Sequence, residues 1–200
     1  MHDEDRLIAR AVAGESAAFR ALYERHRADV ARLVFRMLGP RADMEDVTQE
    51  VFVQVYKSLV DFRGQSKFST WLHRVTVNVV LMYRRAARSR PVFADEPIAD
   101  AALRSGGIGP DEDAERRERL RAFGRLLDRL GDKKRAVFVL HELEGIPPNE
   151  IAKIVGAPVL TVRTRLFYAR RELESMLADE PSLAGVRHSF SKASGAEGET

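Results

Sequence analysis

Between Phe62 and Ala94 the chain alternates cations with aromatic rings and contains no acidic residue. The cations are Arg63, Lys67, Arg74, Arg84, Arg85, Arg88 and Arg90, and the rings are Phe62, Phe68, Trp71, Tyr83 and Phe93. Cations bind phosphate, and ring faces stack on unpaired bases. The chemistry on offer is therefore nucleic-acid binding, with single strands included. Within the stretch, Trp71, Arg74 and Asn78 fall at steps of three and four, which puts them on one helix face. They stand beside a polar turn, Phe62 to Lys67.

A second constellation lies between Gly145 and Leu173. A short amphipathic segment, with Ile151, Ala152 and Val155 expected inward, meets the turn Gly156-Ala157-Pro158. A longer segment follows and is expected to bury Val162, Leu166, Ala169 and Leu173. This is a helix-turn-helix pattern, in which the second helix enters the major groove and its N-terminal residues meet base edges. Thr161, Arg163, Thr164, Arg165, Phe167, Tyr168, Arg170 and Arg171 are the candidate DNA-binding residues. Arg163, Phe167 and Arg170 share the face opposite the apolar stripe by their spacing. No acid interrupts the run from Val159 to Arg171. A hairpin with a merely solvated Arg-rich side is the bland alternative.

Catalytic chemistry finds no support. Cysteine is absent, which excludes disulfides, thiolate nucleophiles and Cys-ligated zinc. No Ser/His/Asp arrangement, Gly-rich phosphate loop or paired-His metal motif is present. His26, His73 and His141 are isolated, and no metal or cofactor is expected. The N-terminus, MHDEDRLIAR, is charged rather than apolar, and no run reaches the ~20 apolar residues that span a bilayer. A soluble cytoplasmic protein without membrane insertion is expected.

The elements that must position these residues are helical. From Glu15 to Leu38, Phe19, Leu22, Tyr23, Val30, Leu33, Val34, Met37 and Leu38 recur at helical steps until Gly39-Pro40 ends the run. The next helix begins near Ala42, with acids in its first turn that suit the macrodipole and a stripe of Val47, Val51, Val55 and Leu59. A third runs from about Phe68 to Arg88, with Leu72, Val75, Val79 and Met82 inward. Residues 91–113 collect Pro, Gly and acidic residues and read as a flexible linker. A second helical module extends to about residue 178, and Asp179 to Thr200 reads as a disordered tail. With 200 residues and a net charge of only +3, the distribution of charge says more than its sum. The expected architecture is all-α: two small helical domains, 1–90 and 114–178, on a tether.

Taken together, the two modules resemble the extracytoplasmic-function (ECF) sigma factors of bacterial RNA polymerase. Asp43-Met44-Glu45-Asp46-Val47-Thr48-Gln49-Glu50-Val51-Phe52 resembles that family's polymerase-binding segment in region two. Phe62 to Val75 continues into its promoter-melting segment, with Asn78 where the family has Asn, and Gly145 to Leu173 resembles its region four. The resemblance implies a dissociable polymerase subunit that opens the −10 element and reads the −35 element.

On that basis the core-polymerase contact falls to Asp46, Gln49, Glu50 and Val53, whose carboxylates would complement basic residues of the β′ coiled coil. Phe52 is read as an apolar anchor of the same contact or as core. The −10 contact falls to Phe62, Arg63, Gly64, Gln65, Ser66, Lys67, Trp71, Arg74, Asn78, Arg84 and Arg85. Gly64 permits close backbone approach, Gln65, Ser66 and Asn78 offer hydrogen bonds to a flipped base, and Lys67 and Arg74 meet phosphate. Trp71 is read either as a stacking platform or as core. Arg84 and Arg85 are read as phosphate contacts or as partners of the helix C-terminal dipole. The implied partners are core RNA polymerase (β′ coiled coil and β flap), promoter DNA as duplex and as melted non-template strand, and a candidate anti-sigma factor.

Two departures from the family stand out. Pro147-Pro148 replaces the usual Ser or Thr cap before the helix-turn-helix, and Tyr168 stands where relatives often carry a basic residue. The rival reading is a stand-alone helix-turn-helix repressor or activator, which would leave the acidic helix and the acid-free aromatic stretch without a purpose.

Overall fold

The computed structural model describes residues 3–40, 43–89, 110–180 and 183. Helices and turns make up this part of the chain, with no strand among the described residues. Contacts divide the chain into two compact units: Met1–Phe35 with Asp43–Phe93, and Arg36–Ala42 with Ala94–Thr200.

In the first unit, α1 (Asp3–Val12) opens on Asp3, Glu4 and Asp5 and closes with Arg10, the polarity a helix dipole favours. The sequence reading saw only a charged terminus here, yet Ile8 and Ala11 are buried. The helix α2 (Ser16–Leu38) receives α1 through the pairs Arg25–Asp3 at 3.0 Å and His26–Glu4 at 3.1 Å. At the corner between them, Arg10 Nε donates to Glu15 at 2.7 Å. That hydrogen bond holds the Glu15 carboxyl below its usual range.

The helix α3 (Met44–Ser58) and the 3-10 turn Leu59–Asp61 bury Val47, Val51, Val55 and Leu59, as their spacing predicts. This stripe packs against α4 (Phe68–Ser89). The inward face of α4 differs from expectation. Leu72 and Val79 are buried and Val75 is half-buried, but Met82 is 61% exposed. The stripe runs instead through Phe68, Leu72, Thr76, Val80 and Arg84, with Val77 and Val79 beside it. Thr76 fits because its Oγ1 donates to Leu72 O at 2.9 Å, so the buried hydroxyl has a partner.

In the second unit, α5 (Pro110–Arg129) starts inside the stretch expected to be linker. The rest of that linker lies outside the described residues, as does most of the expected tail, although Leu183 is buried. α5 leads into α6 (Asp132–Phe138), which ends in a π-type turn, Val139–Leu143. There Glu144 N–H donates to Val139 O, five residues back, at 3.0 Å. The fully buried Arg135 of α6 donates to Asp128 of α5 at 2.5 Å.

Next comes α7 (Pro148–Val155), whose amides of Glu150 and Ile151 both donate to Pro147 O at 3.0 Å. A proline at the first helical position lacks only an N–H that would have no intrahelical partner, so the missing side-chain cap does not prevent the helix. Ile151 and Ile154 are its buried residues, in place of the expected Ala152 and Val155, which are half-buried. Gly156 turns the chain with a left-handed φ of 62°, a conformation only glycine adopts without strain. The helix α8 (Val159–Ala178) buries Val162, Leu166, Ala169, Leu173 and Leu177 and packs on α5, α6 and α7.

Candidate nucleic-acid interface

The polar turn between α3 and α4 borders a half-open cavity of about 330 Å³. Its lining is Asp61, Phe62, Arg63, Gln65, Ser66, Trp71 and Arg74. The 3-10 turn sets one end, with Phe62 N–H donating to Leu59 O at 3.0 Å. Trp71 N–H donates to Lys67 O at 3.2 Å, which sets the first turn of α4 at the other. Between them Gly64 has a φ of 66°, so the turn reverses where a side chain would be strained.

Three rings support the cavity. Phe68 and Trp71 stack at 5.6 Å with planes 30° apart, and Phe62 meets Phe68 at 5.5 Å edge-to-face and Trp71 at 5.4 Å. Behind them His26 lies 5.2 Å from Phe68. Trp71 packs in this aromatic cluster and also faces the cavity. A volume at the low end of small-ligand pockets, roughly 300–1,000 Å³, suits one heterocycle rather than a duplex. Rings to stack on, Gln65 and Ser66 to hydrogen-bond, and Arg63 and Arg74 to neutralise phosphate complete the requirements of an extruded base.

Of the residues expected at this surface, Phe62, Arg63, Gln65, Ser66, Trp71 and Arg74 line the cavity, while Gly64, Lys67, Asn78 and Arg85 are exposed but do not line it, Arg85 standing about 16 Å of helix beyond Arg74. Arg84 is a correction. It is buried against the helical core and is not an open phosphate contact. Asp61, which also lines the cavity, was missed, since a carboxylate runs against the charge expected of a turn read as meeting phosphate. A carboxylate can accept from a base amino group, as Asp and Glu do from cytosine in duplex readout.

On α3, Asp46, Gln49, Glu50 and Val53 are exposed together, and Gln54 donates to Glu50 at 2.7 Å. Phe52 is not available as an anchor: it is buried and meets Tyr23 edge-to-face at 4.6 Å. The exposed rings and methyls continuing this face are those of Tyr56 and Val60.

On α8, Arg163, Thr164 and Arg171 are exposed, Thr161 and Arg165 are half-exposed, and Phe167 and Tyr168 stand out with rings 5.4 Å apart. Arg171 places its guanidinium 5.7 Å over the Phe167 ring. Arg170 is a correction. Its Nε and Nη2 bind Glu142 Oε1 at 2.8 and 2.7 Å, and its side chain is only 17% exposed. Its charge fastens α8 to the π-type turn instead of standing open to solvent. His141 is half-buried, with Nδ1 3.0 Å from Ile146 O. Among the described residues no group of His, Asp and Glu is arranged to hold a metal ion, and no helix is long and apolar enough to cross a membrane.

Comparison with known proteins agrees with this geometry. Residues 22–90 match the family Sigma-70 region 2, and residues 120–173 match Sigma-70, region 4. The ECF RNA polymerase sigma-E factor of Escherichia coli (strain K12) is 38% identical over 175 residues, covering 84% of this chain and 91% of the relative. Its namesake in Haemophilus influenzae is 34% identical, covering 86% and 93%. Among solved structures, CnrH in complex with the cytosolic domain of CnrY superposes with a TM-score of 0.65 at 29% identity, over 89% of this chain and 99% of that one. The sigma factor RpoE of Bartonella quintana, in complex with the anti-sigma factor NepR, shares the fold with a TM-score of 0.61 at 18% identity, over 81% and 98%.

Proposed function

Since the chain belongs to the ECF RNA polymerase sigma factors, it serves transcription initiation, and we propose that its two units divide that task. Residues 1–90 bind core polymerase and hold a base of the melted −10 element. Residues 114–178 read the −35 element as duplex, with 91–113 as the tether. The observation that carries this reading is the aromatic-backed cavity of about 330 Å³ between α3 and α4, which has room for one base and groups to stack on it, bond it and neutralise its phosphate.

The exposed acidic face of α3 supports contact with a basic surface such as the β′ coiled coil of the polymerase. The second unit would lie near the β flap. The complex of CnrH with the cytosolic domain of CnrY supports a protein partner here as well, for which an anti-sigma factor is our candidate. On this reading the chain supplies binding and the polymerase supplies the chemistry, and we infer that it acts in the cytoplasm alongside that polymerase.

Reconstitution with bacterial core polymerase, followed by run-off transcription on genomic fragments, tests this reading. Asn78→Ala or Lys67→Ala is expected to slow promoter opening with core affinity retained. Arg163→Ala is expected to weaken −35 binding by ~1–3 kcal/mol, the worth of a good bidentate base contact. Equal loss of core-polymerase affinity in all three variants would defeat the division of labour.

A further inference from the structure

Leu160 is the most exposed large apolar residue among those described, at 74%, and it stands in the first turn of α8. It contributes nothing to the core that Val162, Leu166, Ala169 and Leu173 form on the opposite side. Leu160, Thr164, Phe167 and Arg171 follow one another at steps of four, three and four, which makes one line along the outward face. Thr164 Oγ1 donates to Leu160 O at 2.9 Å. That bond turns the hydroxyl proton toward the backbone and leaves an apolar seam from the Leu160 isobutyl group past the Thr164 methyl to the half-exposed Phe167 ring. Arg163 and Arg171, both exposed, flank it with positive charge.

A seam of this kind at the N-terminal end of a recognition helix meets base edges in the major groove. On that floor the group that prefers an apolar partner is the C5 methyl of thymine. We propose that Leu160 reads the C5 methyl of a thymine in the −35 element, making it a specificity-determining residue beside the arginines. The assignment rests on the reading of α8 as the −35 helix. It also accounts for an isobutyl group left in water at a position where a polar residue would cost the fold nothing.

The test uses the full chain bound to core polymerase and a promoter fragment selected by its own run-off transcription. Every thymine of the −35 element, on both strands, is replaced by 2′-deoxyuridine, which removes the methyl and keeps the hydrogen-bonding edge. The wild-type holoenzyme is expected to bind the uracil duplex about fourfold more weakly, the transfer value of one buried methylene-sized group. Leu160→Ala is expected to bind the thymine duplex more weakly by a similar factor and to be indifferent to the replacement. Arg163→Ala is expected to weaken binding to both duplexes while preserving their ratio. Wild-type indifference to the replacement, or a Leu160→Ala variant that keeps the full preference for thymine, would overturn the inference, and loss of −35 affinity in Arg163→Ala would then show that the reading of α8 still stands. If Arg163→Ala leaves −35 affinity unchanged as well, the reading of α8 falls and the inference falls with it.

Discussion

Trp71→Ala is expected to reduce open-complex formation on a duplex promoter by roughly 5- to 150-fold, the equivalent of about 1–3 kcal/mol of base stacking. The argument starts from the cluster in which the ring sits. Trp71 is only half-buried, stacks on Phe68 at 5.6 Å and forms part of the cavity lining with Phe62. Removing it therefore opens the cavity floor and also loosens the packing of the first unit. Two further measurements separate these effects. Trp71→Phe retains a ring face and is expected to recover most of the opening rate. A 2-aminopurine probe at the extruded position should be quenched by stacking in the wild type and remain bright in Trp71→Ala, while affinity for core polymerase changes little. A parallel fall in core affinity and opening would show that the indole serves packing alone.

Asp128→Ala is expected to destabilise the second unit by about 3–5 kcal/mol, because it leaves a fully buried guanidinium without this carboxylate. Total stabilities of about 5–15 kcal/mol are usual for domains, so this one change brings the unit close to unfolding at growth temperature. Replacing the cation instead, by Arg135→Met, keeps volume and removes the charge to be solvated. That variant is expected to be near neutral or stabilising. Urea unfolding followed by the ellipticity of residues 110–180, expressed alone if they fold or within the full chain if they do not, checks both. A change below about 1 kcal/mol in Asp128→Ala would mean that water reaches the guanidinium once the carboxylate is gone.

Much of the helical framework was legible because valine and leucine carried the period unaided. The stripe Val47–Val51–Val55–Leu59 and the stripe Val162–Leu166–Ala169–Leu173 are both buried where their spacing puts them. On α4 the reading drifted by one position, since the true stripe includes Thr76 and Arg84, which a polarity count assigns to solvent. The side chain of Thr76 is admitted by a bond to its own helix, which hydropathy does not record. Arg170 misled for a different reason. Its partner Glu142 is 28 residues away, in a π-type turn that apolar periodicity does not reveal. The cavity was half legible: the turn and the rings were singled out together, but Asp61 was not, because its charge argued against the site it lines.

Phe68 touches His26 on one side and Trp71 on the other, so the wall that would hold a base is also a wall of the core. This limits how such a protein can be reprogrammed. Exchanging a ring of the cluster to suit another base also alters packing around a buried Phe68, at a cost of up to about 3–5 kcal/mol for a large-to-small change in a core. The exposed turn residues Arg63 and Gln65 carry no such burden; surface substitutions usually stay within about 0.5 kcal/mol. New promoter preferences, whether selected in a laboratory or by descent, should therefore accumulate on the turn first, with the aromatic cluster changing late and in compensated pairs.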